Sequence, residues 1–328
     1  MKHIGFVSSI NGFGHTRRMM HLSVNFQKRG FLTTLFATKK QIERLLPEMN
    51  LLGTSVNFVE ILSYGVDGPV WMKDGCPIEK PSNQVINILK RCDLVISDNC
   101  IWPIKFNSNF VLFGHFNWLN YWQIKNNQNF SGKLLDIFAE EISLFDSIKI
   151  SFQLTDFVLN GVFNPRVNIP IKLMRYDSDV NFPRLSEPNK IWIANGTTKL
   201  SKNFKFQNIK KNHLKFSLTE TYSLLHESYK PSVVIGRPGL GTIRDCLAAG
   251  VLFIPYLKDS DPELISNMAS LRKLSLVFDF SFNESTFDEE INNLMEDTDL
   301  LESWSLIWSR ISQDSPEICE QILKFADL

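Results

Sequence analysis

Short apolar blocks recur along the chain between longer stretches whose apolar residues return at helical spacing. Lys2–Ser8, Thr33–Ala37, Ser55–Glu60, Asp93–Ser97 and Phe110–Phe113 are such blocks. The stretches Lys39–Met49 and Ser82–Arg91 between them read as helices, and Asn11–Arg18 reads as the turn into a further helix ending near Gly30. Strands buried on both faces and separated by helices predict a doubly wound parallel α/β sheet. The segment Phe116–Phe145 places Trp118, Tyr121, Trp122, Phe130, Phe138 and Phe145 among polar residues. It reads as helical, and core packing is the commoner meaning of such aromatic spacing than a stacking wall for a ligand.

Around Asn181–Pro188 the text becomes rich in Pro, Ser and Asn, and a domain boundary falls there, dividing the chain into 1–184 and 185–328. Ile191-Trp-Ile-Ala restarts the strand pattern. Val233-Val-Ile-Gly-Arg-Pro-Gly-Leu-Gly-Thr-Ile-Arg-Asp-Cys-Leu-Ala-Ala-Gly-Val-Leu-Phe-Ile-Pro-Tyr256 then reads as strand, glycine turn, helix, glycine stop and second strand. Helical text at Asp288–Glu296, Leu301–Ile311 and Pro316–Phe325 closes the chain.

Two glycine turns carry the candidate chemistry. In the second half, Gly236, Gly239 and Gly241 leave backbone N–H groups uncovered, and Thr242 is placed to cap a helix whose start suits a phosphate. Asp245, one turn in, could accept from a ribose diol. The same residues would equally serve an ordinary tight turn with a solvated acid. Asp259-Ser-Asp-Pro-Glu-Leu-Ile-Ser-Asn267 follows the next strand at once, and the edge beyond a strand's C-terminal end is where open α/β sheets bind ligands.

In the first half, Asn11-Gly-Phe-Gly-His-Thr-Arg-Arg18 follows the first strand. Arg17 stands where a dinucleotide fingerprint needs a small residue, and no Lys-Ser/Thr pair follows as in a P-loop. What remains is Gly12-x-Gly14-His15-x-x-Arg18, an imidazole at a sheet edge and a guanidinium one turn later on the same helix face. The imidazole can serve as a base and the guanidinium can neutralise phosphate. Asp98 and His115 each follow a strand directly, so both belong to the edge that carries His15. Asp98 in Asp-Asn also has the chemistry of a turn cap.

The second turn, its Ala-Ala-Gly, the strand ending in Pro, the acidic loop and Asn267-Met-Ala269 together resemble the donor half of GT-B glycosyltransferases, most of all the branch with the MurG-type N-acetylglucosaminyl transferases. The Gly12-x-Gly14-His15-x-x-Arg18 motif resembles both microbial glycosyltransferases and the UDP-sugar hydrolases of pseudaminic acid synthesis. The resemblance implies a GT-B fold, two Rossmann-like domains facing across a cleft, with a terminal helix that often returns to the first. It implies a nucleotide-diphosphate sugar, UDP-linked in many relatives, as co-substrate rather than a resident cofactor. Asp245 would hold the ribose, Asp261 and Glu263 the sugar hydroxyls, and Asn195, Gly196 and Thr197 with Gly239, Gly241 and Thr242 the diphosphate, with Asn267 a further donor-site residue. Leu264 stands where relatives often carry Gln. In plant-type members a first-loop His is the base and a later Asp orients it, which maps onto His15 and Asp98, with His115 in reserve. Arg18 or Arg237 would steady the leaving diphosphate.

The implied activity is metal-independent, inverting transfer of a hexosyl or N-acetylhexosaminyl group to a glycan, lipid-linked or small-molecule acceptor. Trp71, on a turn-rich loop, is the candidate for acceptor contact. A hydrolase, an epimerase or a non-catalytic binding subunit of the same fold stay open. The interval between Gly196 and the strand at Val233 is shorter than MurG-type relatives usually have, which implies one reduced or missing βα unit.

Composition narrows the surroundings. With 328 residues, 44% of them hydrophobic, two cores can be filled. Lys plus Arg and Asp plus Glu are each 35, so no net field recruits nucleic acid. The five cysteines form no C-x-x-C pair, which suits reduced thiols in a cytoplasmic protein. No signal peptide or membrane span is expected. The lysines and phenylalanines of 199–216 could touch a membrane surface peripherally at its inner face, though a solvated face is the commoner meaning. No His, Cys and carboxylate cluster with metal-ligand spacing stands out.

Overall fold

The computed structural model describes residues 1–53, 55–62, 81–116, 118, 121, 124, 139–140, 142–159, 167–175, 190–194, 215–219, 231–257, 261–278, 280 and 286–326. The chain forms two compact units, Met1–Asp177 with Gln313–Leu328, and Ser178–Ser312.

In the first unit the apolar blocks are strands β1 (His3–Val7), β2 (Leu32–Ala37), β3 (Asn57–Glu60), β4 (Leu94–Asp98), β5 (Phe110–Gly114), β6 (Ile150–Leu154) and β7 (Val167–Ile171). They form one parallel sheet in the order β3-β2-β1-β4-β5-β6-β7. Strand order therefore reverses between β1 and β4, whose register runs from Ile4 opposite Leu94 to Val7 opposite Ser97. The connections leaving these two strands diverge, which opens a crevice at their C-terminal ends.

Strands β6 and β7 are not evident in the sequence. In β7 the Val-Asn-Ile-Pro-Ile text alternates exposed and buried positions, and its Pro170 sits where a missing N–H does no harm, on the outermost strand.

Helix α1 (Phe13–Lys28) connects β1 to β2, α2 (Lys39–Leu51) connects β2 to β3, and α3 (Asn83–Arg91) precedes β4. Phe6, Phe36 and Phe113, from three strands, and Phe26 of α1 are wholly buried. Each such side chain contributes about 2 kcal/mol. The final helix, Ser315–Phe325, also belongs to this unit: Asn25 Nδ2 donates to Ser315 Oγ at 2.8 Å, and Arg29 Nη2 to the Pro316 carbonyl at 3.1 Å.

A two-residue strand, β8 (Leu173–Met174), follows β7. Among the described residues the second unit has a four-stranded parallel sheet. Its strands are β9 (Lys190–Ala194), β10 (Lys215–Thr219), β11 (Val233–Gly236) and β12 (Leu252–Pro255), in the order β10-β9-β11-β12. Strand β10 begins at the end of the Lys- and Phe-rich stretch and supplies a strand in the interval where one βα unit was expected to be reduced or missing. Helix α4 (Leu240–Ala249) follows β11 and ends at Gly250, whose φ of 62° continues as a left-handed stop. Helix α5 (Pro262–Lys273) follows β12.

The four described cysteines, Cys92, Cys100, Cys246 and Cys319, are free and buried. Burial, with the Asp93 charge adding to it, pushes the Cys92 thiol up to about 12. Trp118, Tyr121 and Phe145 are core residues, as the spacing favoured. Trp122, Phe130, Phe138 and Trp71 lie outside the described residues, as do 199–214. Among the described residues no helix is long and apolar enough to cross a membrane.

Candidate functional site

Helix α1 starts at Gly12 with φ 81°, a backbone that only glycine adopts without strain, and no side chain caps it. The turn is braced instead from α2. Thr38 and Gln41 form a capping box there, and the Gln41 amide also donates to the carbonyls of Ser9 at 2.8 Å and Gly12 at 2.9 Å. Ser8 Oγ meets Thr16 Oγ1 at 2.7 Å, and the Trp118 indole donates to Ser9 Oγ at 3.2 Å. His15 thus stands on a fixed platform beside β4. Sequence reading missed Gln41, although the Thr-x-x-Gln spacing was its visible signal.

His15 Nδ1 lies 3.2 Å from Asp98 Oδ1. Arg18 grips the same carboxylate with both arms of its fork, Nε to Oδ2 at 2.8 Å and Nη2 to Oδ1 at 2.6 Å. Exposure is 7% for His15, 6% for Arg18 and 0% for Asp98. Burial opposes the Asp98 charge, but Arg18 and His15 outweigh it and hold the carboxyl at about 2. An ionised carboxylate only accepts, so a hydrogen bond across the His15–Asp98 contact needs a proton on Nδ1, and a neutral ring then has its lone pair on Nε2. His115 stacks on His15 with ring centres 5.8 Å apart and 13° between planes. Phe116 meets the same ring edge-on at 5.9 Å. The three residues expected to converge, His15, Asp98 and His115, do so.

The turn chemistry anticipated for Asp98 falls on its neighbour. Asn99 takes the left-handed backbone, φ 62°, and its Nδ2 lies 3.3 Å from His15 Nδ1. Room for this comes from Gly114, φ 145°, where a Cβ would run into the Asn99 carboxamide and come within 3.1 Å of Asp98 Oδ1. Neither residue was singled out in the sequence, and no spacing signals them.

Arg17, whose presence breaks the dinucleotide fingerprint, is part of a second buried group. Its Nε donates to Glu48 Oε1 at 2.8 Å, and His21 Nε2 approaches the same oxygen at 2.7 Å. Burial opposes the Glu48 charge, yet Arg17 and His21 override it and hold the carboxyl well below the usual range. This group ties α1 to α2.

In the second unit the helix start differs from expectation. The N-cap of α4 is Gly239, with φ −72° and no side-chain cap, and Thr242 is already the third helical residue. Thr242 therefore does not cap the helix. The early N–H groups of α4 come off a turn of three glycines with no capping side chain of their own. Asn267 Nδ2 donates to the Pro238 carbonyl at 2.9 Å and so braces this turn from α5. Asp261 Oδ1 accepts from the N–H groups of Glu263 at 3.0 Å and Leu264 at 3.2 Å, capping α5. Asp245 is buried, with Arg244 Nε 3.8 Å from its Oδ1. Arg237 and Glu263 are half-buried. Asn195, Gly196 and Thr197 lie outside the described residues.

No protein-family model matches the chain, and no curated protein does. Among solved structures the chain is similar to the spinosyn forosaminyltransferase SpnP, with a TM-score of 0.65 and 12% identity over 100% of both chains. MurG of Acinetobacter baumannii follows the same course with a TM-score of 0.55 and 12% identity, covering 99% of this chain and 100% of that one. UGT2 of Phytolacca americana, in its complex with UDP-2fluoro-glucose and pterostilbene, gives 0.63 and 11%, covering 99% and 98%. With a doubly wound parallel sheet in one unit, a second parallel sheet in the other and likeness running the length of these structures, the chain has the fold of the GT-B glycosyltransferases.

Proposed function

We propose that the protein is a glycosyltransferase that moves a hexosyl or N-acetylhexosaminyl group from a nucleotide-diphosphate sugar, UDP-linked first among them, to a hydroxyl of a glycan, lipid-linked or small-molecule acceptor. The observation that carries this is the buried His15–Asp98 pair at the switch point of the first sheet. With Nδ1–H given to Asp98, His15 Nε2 takes the proton of the acceptor hydroxyl. The oxygen attacks the anomeric carbon, the bond from that carbon to the diphosphate oxygen breaks, and the diphosphate leaves with the electron pair. Attack opposite the leaving group inverts the anomeric centre. The first unit supplies the base, and the second supplies the donor's cradle in the glycine turn before α4, where N–H groups and helix dipole favour a diphosphate.

Because Arg18 is turned onto Asp98, the leaving charge is met by the α4 start and Arg237, without a metal. The complex of Phytolacca americana UGT2 with UDP-2fluoro-glucose gives the uridine donor priority.

Isothermal titration with UDP, GDP, ADP and TDP, followed by nucleotide release from the matching sugar donors with and without acceptor alcohols, tests the proposal. Binding of one nucleotide with acceptor-dependent release is expected. Rapid stoichiometric release to water alone would replace transfer with hydrolysis, and absence of all binding would overturn the donor site.

A further inference from the structure

We propose that Arg18 is a positioning residue that acts on the base through Asp98. It fixes the carboxylate by a two-point grip and offsets its charge, so that Asp98 orients His15 without holding it protonated. This rests on the reading of His15 as the base.

The geometry is unusual in its balance. Asp98 Oδ1 lies 3.2 Å from His15 Nδ1, and Arg18 Nη2 lies 3.4 Å from the same nitrogen, so opposite charges stand at nearly equal distance from one edge of the ring. A lone buried carboxylate at that distance strongly favours imidazolium, which has no lone pair to accept a proton from a hydroxyl. The Arg18 to Asp98 bonds, 2.6 and 2.8 Å, are both shorter than the His15 contact, so the carboxylate's position is set by the guanidinium. Helical spacing makes this possible, since Arg18 is three residues beyond His15 on one face of α1. The guanidinium carbon lies 5.7 Å over the Phe113 ring, a further hold on its orientation. Among the described residues His115, from the segment after β5, also faces His15, stacked on the ring. Charge of either imidazole disfavours charge of the other, which acts in the same direction as Arg18.

Turning both arms of the fork inward also separates this role from the neutralisation of a donor phosphate, because the two roles differ in what they change. A phosphate-binding Arg18 sets nucleotide affinity. A positioning Arg18 sets the proton state of His15.

The test is an imidazole ¹⁵N titration of the full chain by NMR, with the His15 signals assigned by their loss in His15→Gln. Arg18→Gln is expected to raise the His15 midpoint by roughly one pH unit. In an Asp98→Asn background, where only the direct repulsion of Arg18 for the ring is left to lose, the same substitution should raise the midpoint by clearly less. An unchanged or lowered midpoint in Arg18→Gln, or an equal rise in the Asp98→Asn background, overturns the proposal. If Arg18→Gln does not fold, Arg18→Lys carries the test. A point charge reaches one oxygen only, so the His15 ¹⁵N shifts should move from the Nδ1–H tautomer towards a mixture, and unmoved shifts refute the grip.

The titration needs no turnover, so the two readings fail separately. Full turnover in His15→Ala removes the base while leaving any Arg18 effect standing. A dead His15→Ala with an unmoved Arg18→Gln midpoint removes only the positioning role.

Discussion

The two glycine turns start alike and end differently. Both follow a strand of a parallel sheet, and both open a helix at a glycine with no side-chain cap. After the first, side chains converge: His15, Arg18 and Asp98 form one buried, bonded group with His115 stacked on it. After the second, Asn267 braces the Pro238 carbonyl from α5, Asp261 caps α5, and no side chain caps the start of α4. On the proposed function, one turn serves proton chemistry and the other holds an anion. Substitution should therefore hurt the first through side chains and the second through N–H groups.

The largest effect should come at the first turn. His15→Ala is expected to lower turnover at least ~10³-fold while nucleotide affinity by calorimetry stays within about twofold. An equal loss of affinity would make His15 a binding residue, and the contrast between the turns would collapse.

Gly114→Ala should cost about 2 to 3 kcal/mol in urea unfolding, because an alanine at φ 145° is strained and its Cβ enters the space of the Asn99 carboxamide. A neutral result would mean that Asn99 moves aside cheaply and that the packing behind His15 is loose.

Acid should act on the first unit's ionic groups. Folded Asp98 titrates at about 2, below an unfolded aspartate near ~4, so its stabilisation is complete above about pH 4 and is lost as pH falls through about 2. The loss amounts to about 2 kcal/mol. Glu48, held low by Arg17 and His21 against its burial, adds a loss of the same sign. Urea midpoints followed downward in pH should fall less steeply in Glu48→Gln than in the parent chain, and parallel curves would show that Glu48 is not ionised in the fold.

The smallest effect belongs to the second turn. A Cβ at Gly239 meets nothing within 4 Å, and its φ of −72° suits alanine. Gly239→Ala should thus change stability by no more than about 1 kcal/mol, the usual cost of alanine at an N-cap. It should weaken nucleotide binding roughly tenfold by crowding the N–H groups that face the diphosphate, equivalent to about 1.4 kcal/mol. Unchanged binding would move the anion site elsewhere.

Much of the first sheet was legible because β1, β4 and β5 are buried on both faces and so spell nearly continuous apolar runs, and β2 ends in one. β6 and β7 were not, since β7 alternates and carries a proline that only an outermost strand tolerates. The pairing of His15 with Asp98 was legible as a shared sheet edge, because a parallel sheet puts all its post-strand residues on one side. The capping role given to Thr242 failed because glycine can itself occupy an N-cap, and sequence does not reveal which residue of a glycine-rich turn is the last non-helical one.

What the sequence determined by itself was therefore periodic or local: the α/β class, the two glycine turns and the residues that follow each strand, all fixed by short-range sterics and burial. What the tertiary structure decided was partnership. Whether Arg18 faces a ligand or Asp98, why Arg17 is tolerated and why position 114 is glycine depend on residues 80, 31 and 15 positions away in the chain. Arg18 meets Asp98, Arg17 meets Glu48, and Gly114 makes room for Asn99. A guanidinium carries the same five donors in every setting, and only the neighbour that the sheet order brings beside it decides where they point.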